Sequence, residues 1–360
     1  MKSKRILIIR IGNIGDVLMF TPVIRKLKQI FPDAHIDFVS SVHAGPVVQE
    51  NKSVDHVFFY RKYKRIGGAI RKFLLERSLA RRLYDLCFVF EEHPKYHQFA
   101  RNIMGRRGVT LGFTSVPPTK YLDHAVDFNF LEQHAIDNAL FLLRDYFKVT
   151  VEPEDYLMDF FIPQETQDRL KDSLPRWKGA ERKYFVIHPG CAESLPLRAW
   201  HTPNYLPVIR LLRQQGYRIF ITGAKGDKIF IDEIMKGYGN ADAGVEVFLD
   251  QPLFDTAFLI KNSSGILSSD TGIMHLARAV RAPVLALFGP SNPNHTGCIG
   301  PGQYIQIRND FKCGPCHYFP QYRYEDKKDC LHGQPPTCMK SISVEQVTDS
   351  LKELLGLSLS

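Results

Sequence analysis

Ser268-Ser269-Asp270-Thr271-Gly272-Ile273-Met274-His275-Leu276-Ala277 lies between two apolar runs. Before it, Gly265-Ile266-Leu267 reads as a short buried strand. After it, Leu276 to Val280 reads as a short helix and Ala282 to Gly289 as another strand. This is one βαβ unit with its polar groups at the carboxyl end of a strand, where ligands bind in open α/β sheets. Gly272 admits a close backbone approach. The free N–H groups in the first turn of the next helix favour an anion. The turn is therefore read as a seat for the diphosphate of a nucleotide-sugar.

The same alternation runs outward in both directions. Strands are expected at Arg5–Arg10, His35–Ser40, Val54–Tyr60 and Leu86–Phe90, with helices at Val17–Ile30, Ile70–Tyr84 and Leu131–Phe147. The stretch Val151–Pro163, rich in proline and acid, and a helix Gln164–Leu174 form a passage. Beyond it strands are expected at Tyr184–His188, Arg218–Thr222 and Val245–Phe248. Helices are expected at Thr202–Gln215, Leu253–Lys261 and Val344–Leu355. The fold class is α/β: two doubly wound, Rossmann-like sheets of similar size. The expected bounds are residues 1–163, residues 176–343 with a Cys-rich segment at 311–340, and a terminal helix and tail at 344–360.

Composition narrows the class. The chain has 360 residues, 44% of them hydrophobic and 24% charged, as in soluble globular proteins. No run of about 18 apolar residues exists, so no membrane span is expected. The basic start Met1 to Arg5 leads into an apolar run broken by Arg10, Gly12 and Asn13, a first strand rather than a secretion signal. A cytoplasmic location is the expectation. The formal net charge of +9 fits either a solvated basic surface or an anionic partner. Between Arg61 and Arg82 there are nine Lys/Arg and one acid, Glu76. No stacking aromatics interleave those cations in a known nucleic-acid module, and a nucleic-acid partner is not expected.

Four motifs carry candidate chemistry. Gly12-Asn13-Ile14-Gly15-Asp16 follows a strand and opens a helix but lacks the G-x-G-x-x-G spacing of dinucleotide sites, which weakens an oxidoreductase reading. Asp16 suits a helix cap, worth about 1 kcal/mol, or a general base that takes the proton of an attacking sugar hydroxyl. Gly15 would then approach the donor, and Arg10 and Asn13 the acceptor or an anion. His188-Pro189-Gly190 ends a strand. Arg198 follows with a guanidinium that can hold phosphate oxygens by two hydrogen bonds, while Trp200 reads as a packed helix start. In Thr222 to Asp227, the carboxylate suits ribose hydroxyls or an N-cap equally. Asp270, Thr271, Gly272 and His275 complete the donor set.

The seven cysteines divide in two. Cys87, Cys191 and Cys298 are scattered. Cys313, Cys316, Cys330 and Cys338 fall within 26 residues, with His317 and His332 nearby. The ligand types suit a structural zinc or iron knuckle that would order a segment with little core of its own. Free thiols and disulfides are the alternatives, the latter disfavoured in a reducing compartment.

Arg10 to Asp16, Ser269 to Ala277 and Ala286-Leu287-Phe288-Gly289-Pro290 together resemble the ADP-heptose:lipopolysaccharide heptosyltransferases of glycosyltransferase family 9. The resemblance spans about Arg5 to Val347. It implies a GT-B fold, two Rossmann-like domains facing across a cleft, and inverting transfer with no divalent metal needed for catalysis. It implies Asp16 as general base and Asp270, Thr271, Gly272 and His275 as donor-binding residues. It also implies ADP-heptose as donor and a lipopolysaccharide core or related glycan as acceptor. The basic helix Ile70 to Arg82 suits an anionic glycolipid or membrane surface, giving peripheral contact at the cytoplasmic face of the inner membrane, or is only a solvated face. Three departures stand out. Arg198 occupies the place of a lysine two residues before the tryptophan. Asp227 is offered where the family has a glutamate. Phe90-Glu91-Glu92-His93-Pro94-Lys95-Tyr96-His97 replaces the usual acceptor-side segment, leaving another nucleotide-sugar or a protein acceptor as alternatives. A basic nucleic-acid-binding protein with a metal knuckle is the reading from a different class.

Overall fold

The computed structural model describes residues 3–61, 67–114, 120–127, 132–173, 183–190, 196–239, 243–316, 330 and 336–357. The chain divides into two compact units, Met1–Phe161 and Ile162–Ser360.

The first unit holds six parallel strands: β1 (Arg5–Ile9), β2 (His35–Ser40), β3 (His56–Phe59), β4 (Leu86–Val89), β5 (Val109–Thr114) and β6 (His124–Asp127). Their order is β3-β2-β1-β4-β5-β6. Helices on both faces explain why β1 and β4 read as unbroken apolar runs rather than alternating ones. Ile6 to Ile9 and Cys87 to Val89 have no exposed surface. On one side they pack with Phe99, Ala100 and Ile103 of the helix Pro94–Met104.

The second unit repeats the winding. Its strands are β7 (Tyr184–His188), β8 (Arg218–Gly223), β9 (Val245–Leu249), β10 (Ile266–Ser269), β11 (Val284–Phe288) and β12 (Tyr304–Arg308), ordered β12-β11-β10-β7-β8-β9. Read from β9, this is the same sequence of neighbours as in the first sheet. The terminal helix Val344–Leu355 belongs to this unit, with Val347, Leu351 and Leu354 in one cluster with Phe185, Leu267 and Leu285.

Each sheet therefore has a reversal point, between β1 and β4 in one and between β7 and β10 in the other. Ligand crevices form there, beyond the carboxyl ends of the strands.

Some elements differ from expectation. The helix expected over Val17–Ile30 is two helices, Ile14–Leu18 and Thr21–Ile30. Pro22 has no N–H for the Leu18 carbonyl, and the Thr21 hydroxyl donates to that oxygen instead at 2.7 Å. The helix expected over Ile70–Tyr84 runs Gly67–Ala80, and Ile70, Phe73 and Leu74 point outward. The helix before Phe147 starts at Ala135, capped by the His134 ring, which accepts from the Ile136 N–H. Strands β5, β6 and β12 were not anticipated. β5 carries Gly112 mid-strand, where a Cβ would come within 2.7 Å of the Val89 carbonyl. β6 has only four residues. Leu131, Leu174, residue 176, Cys191, His317, His332 and the last residues of the tail lie outside the described residues.

Candidate active site

The first site gathers at the β1/β4 reversal. Arg10 follows β1 directly. Its Nη1 donates to the Phe90 carbonyl at 2.8 Å and its Nη2 to Asp16 Oδ1 at 3.1 Å. Glu91 Oε1 stands 3.4 Å from Nη1. The guanidinium lies 4.7 Å from the centre of the Phe20 ring. Burial works against its charge, but Glu91, then Asp16 and Glu92, outweigh burial and hold Arg10 above its ordinary value.

Asp16 is held twice. Oδ1 takes Arg10, and Oδ2 accepts the Asn13 N–H at 2.7 Å. It thus caps the helix Ile14–Leu18, yet its side chain keeps 36% of its surface exposed. The carboxylate is fixed in place and open to a hydroxyl. Gly12 makes room for it, since a Cβ there would lie 2.3 Å from Asp16 Cβ. Gly15 is buried inside the turn, and Asn13 is exposed at its tip.

Glu91 went unassigned in the sequence. Its carboxylate accepts the Ile11 N–H at 2.6 Å, tying the end of β4 to the turn after β1. His97, fully buried, bonds the Glu91 carbonyl through Nε2 at 2.8 Å, and burial lowers the pKa of its ring. A carboxylate immediately beyond the strand next to the reversal point was the available signal.

The second site gathers at the β7/β10 reversal. Asp270, 3% exposed, directly follows β10 and donates its N–H to the Leu287 carbonyl of β11 at 3.1 Å. Arg198 reaches it twice, with Nη1 2.8 Å from the Asp270 carbonyl oxygen and 2.9 Å from Oδ2. Thr271 takes the cap position of the helix Gly272–Ala279 in extended backbone, which leaves the first-turn N–H groups directed past Gly272. Ser268 Oγ donates to the Ser269 carbonyl and lies 3.3 Å from Thr271 Oγ1. His275 is buried in the same helix. Ser269, the last residue of β10, and Ser291, beyond β11, have fully buried hydroxyls with no partner among the described residues. Sequence reading passed both over because a lone serine carries little signal.

Gly190 and Asp227 meet. A Cβ on Gly190 would fall 2.2 Å from Asp227 Cγ. Asp227 is 6% exposed, and its Oδ2 accepts the Ala224 N–H at 2.8 Å. Of its two sequence readings, the cap is the geometry present. Burial lowers the His188 pKa, against the pull of Asp227. Trp200 is core, its Nε1 donating to the Ile342 carbonyl at 2.9 Å.

Cys313, Cys316 and Cys330 come within electrostatic range of Cys338. Burial first, then Cys316, Cys330 and Cys313, push the Cys338 thiol up to about 11, against a Met339 backbone hydrogen bond. Cys338 packs beside Gly289, at the end of β11. Among the described residues one trio of ligand atoms lies within 4.8 Å of each other: His35, Asp37 and His56. Arg82 already sits in that trio. Its Nε donates to Asp37 Oδ2 at 2.5 Å, and its Nη2 is 2.9 Å from His56 Nδ1 and 3.2 Å from His35 Nε2.

Comparison with known proteins decides the class. The profile of Glycosyltransferase family 9 (heptosyltransferase) matches residues 74–323. The chain belongs to glycosyltransferase family 9. It is an enzyme. Lipopolysaccharide heptosyltransferase 2 of Escherichia coli K12 is 32% identical over 318 residues, covering 81% of this chain and 84% of that one. A family 9 glycosyltransferase from Veillonella parvula superposes with a TM-score of 0.82 at 18% identity, over 99% of both chains. An E. coli heptosyltransferase solved with ADP gives 0.72 at 18% identity over 97% of this chain and 99% of that one. An iron-containing dodecameric glycosyltransferase from enterotoxigenic E. coli gives 0.58 at 15% identity, over 98% of this chain and 77% of that one. The fold of this family 9 enzyme is GT-B.

Proposed function

We propose that the enzyme moves a heptose from ADP-heptose to a hydroxyl of a lipopolysaccharide core or related glycan, with inversion. The observation that carries this is Asp16, fixed by Arg10 and the Asn13 N–H yet open to solvent. An acceptor hydroxyl attacks the anomeric carbon as its bond to the ADP oxygen breaks, and Asp16 takes the hydroxyl proton. The leaving diphosphate collects negative charge. The N–H groups beyond Thr271 and Gly272, the Ser269 and Ser291 hydroxyls and the Arg198 guanidinium are the groups suited to meet it. Arg198 is half committed to Asp270, so it acts by fixing the turn as well as by its charge. His275 and Gly190 shape the same crevice. No divalent metal has a step in this scheme.

The acceptor is read as lipid-linked, so peripheral contact with the cytoplasmic face of the inner membrane belongs to the same proposal. The segment after β4 departs from the family pattern, and a protein acceptor is the second reading it favours.

The Cys313, Cys316, Cys330 and Cys338 set is assigned a structural role. Burial and the three other thiols raise the Cys338 thiol, and on taking a soft metal the four cysteines would give up their protons to solvent and ligate as thiolates. The donor chemistry fits zinc or iron, and the iron-containing relative of the same fold supports this. Metal analysis of purified protein should find one zinc or iron per chain, removed by Cys338→Ser. A metal-free, fully active enzyme would sink the assignment.

Labelled ADP-heptose incubated with envelope glycolipid and protein fractions tests the reaction. Label should enter a glycolipid, with ADP released in equal amount. Label in protein alone would replace the first reading with the second. Release of no ADP with any fraction would end both.

A further inference from the structure

We propose that the outward face of the helix Gly67–Ala80 is a docking surface for an anionic lipid bilayer. Ile70, Phe73 and Leu74 are 60%, 57% and 56% exposed. At spacings of three and four residues they share one side of the helix. The same side continues through Arg77 to Arg81, both exposed, and Leu83 just beyond is 61% exposed. A surface helix normally turns its apolar stripe toward the core. Here Leu75 and Leu79 face the core, and a second apolar stripe faces solvent with cations along it, the pairing that a membrane interface accepts.

The opposite side of the helix is anchored. Leu79 is fully buried, and the helix packs on Pro94–Met104. Glu76 accepts from Asn102 Nδ2 at 3.2 Å and pairs with Lys72 at 3.5 Å. The one acid between Arg61 and Arg82 is therefore turned away from the exposed stripe, and nine Lys/Arg surround it in sequence. That sign of charge selects the occupant. A second copy docking through the same face would bring cations against cations. An anionic bilayer would supply lipid chains for Phe73 and its neighbours and phosphate for Arg77 and Arg81. This deepens the membrane contact in the functional reading by giving it residues, and it is tested without the transfer reaction.

Full-length protein is sedimented with phosphatidylcholine vesicles, with and without phosphatidylglycerol. Binding should require phosphatidylglycerol and weaken as salt rises. The triple variant Ile70→Ser, Phe73→Ser, Leu74→Ser should lose roughly tenfold or more in partitioning. Arg77→Glu with Arg81→Glu should lose about as much. Both should keep the parent melting temperature and parent ADP-heptose turnover on a water-soluble acceptor fragment. Phe73→Trp emission should shift to the blue on adding anionic vesicles. Equal binding to neutral vesicles, or parent-like binding by the triple variant, would overturn the proposal. So would a triple variant that lowers the oligomeric mass in light scattering while the parent ignores vesicles, which would make a second copy the occupant. Loss of turnover with vesicle binding intact would count against the transfer reading and leave this surface standing.

Discussion

Asp16→Asn should cut transfer by about 10²–10⁴-fold, the range of a positioned general base, and leave ADP binding at its parent strength. The substitution keeps shape and retains one oxygen able to accept from Asn13 or Arg10, so the turn after β1 has a hydrogen-bonded way to persist. What disappears is a site for the acceptor's proton. Two measurements are needed together. Initial rates of ADP release report the chemistry, and a thermal shift with ADP reports the proposed donor seat in the second unit, where Asp16 does not reside. A large rate loss with an unchanged ADP shift supports the assignment. Near-parent rates would remove Asp16 from catalysis and leave it as a cap alone. An additional fall in melting temperature near the cost of a lost cap, about 1 kcal/mol, is compatible with the role, since the same carboxylate serves both ends.

The second large effect is expected at the Arg198–Asp270 pair. Both partners are mostly buried, and Arg198 is bonded to both the side chain and the main chain of Asp270. Removing one member of a buried pair strands the other, at about 3–5 kcal/mol. Asp270→Ala should therefore lower stability by that order, seen as a drop in denaturation midpoint. Arg198→Ala should do the same and also lower the rate by about 10²–10³-fold, because the departing diphosphate loses a cation as well as a fixed turn. Arg198→Lys separates the two roles. A lysine restores charge but offers no planar fork. The expected result is recovered rate with incompletely recovered stability. Full recovery of both would mean the geometry of the guanidinium is unimportant. No loss of rate in Arg198→Ala would remove it from the donor site.

Much of the architecture was legible because parallel sheets covered on both faces leave a plain record. Ile6 to Ile9 and Val284 to Phe288 are apolar at every position, and no other element of that length needs to be. The strand-turn-helix at Asp270 was legible for the same reason, together with Gly272 at the helix start. What escaped detection depends on neighbours far away in the chain. Gly112 marks β5 only once Val89 is known to lie beside it. Glu91 becomes part of the Asp16 site only because β4 pairs with β1. Asp227 looked equally like a ribose ligand and a cap, and the cap shows only in the Ala224 N–H that its Oδ2 accepts, with Gly190 of another strand end leaving room for it. The helix Gly67–Ala80 was legible as an element but not in its orientation. Its apolar residues have helical spacing in the sequence, but spacing alone does not say which way the stripe faces.

The matched winding of the two sheets has a consequence for how such an enzyme can change. Each sheet closes its own core, and each places its reactive groups on loops beyond the same reversal in strand order. Residues around Glu91 can therefore be rewritten without disturbing the packing behind Asp270, and the converse holds. With the recipient and the activated sugar divided between the units as proposed, a lineage built this way can trade one recipient for another while it inherits its activated sugar unchanged.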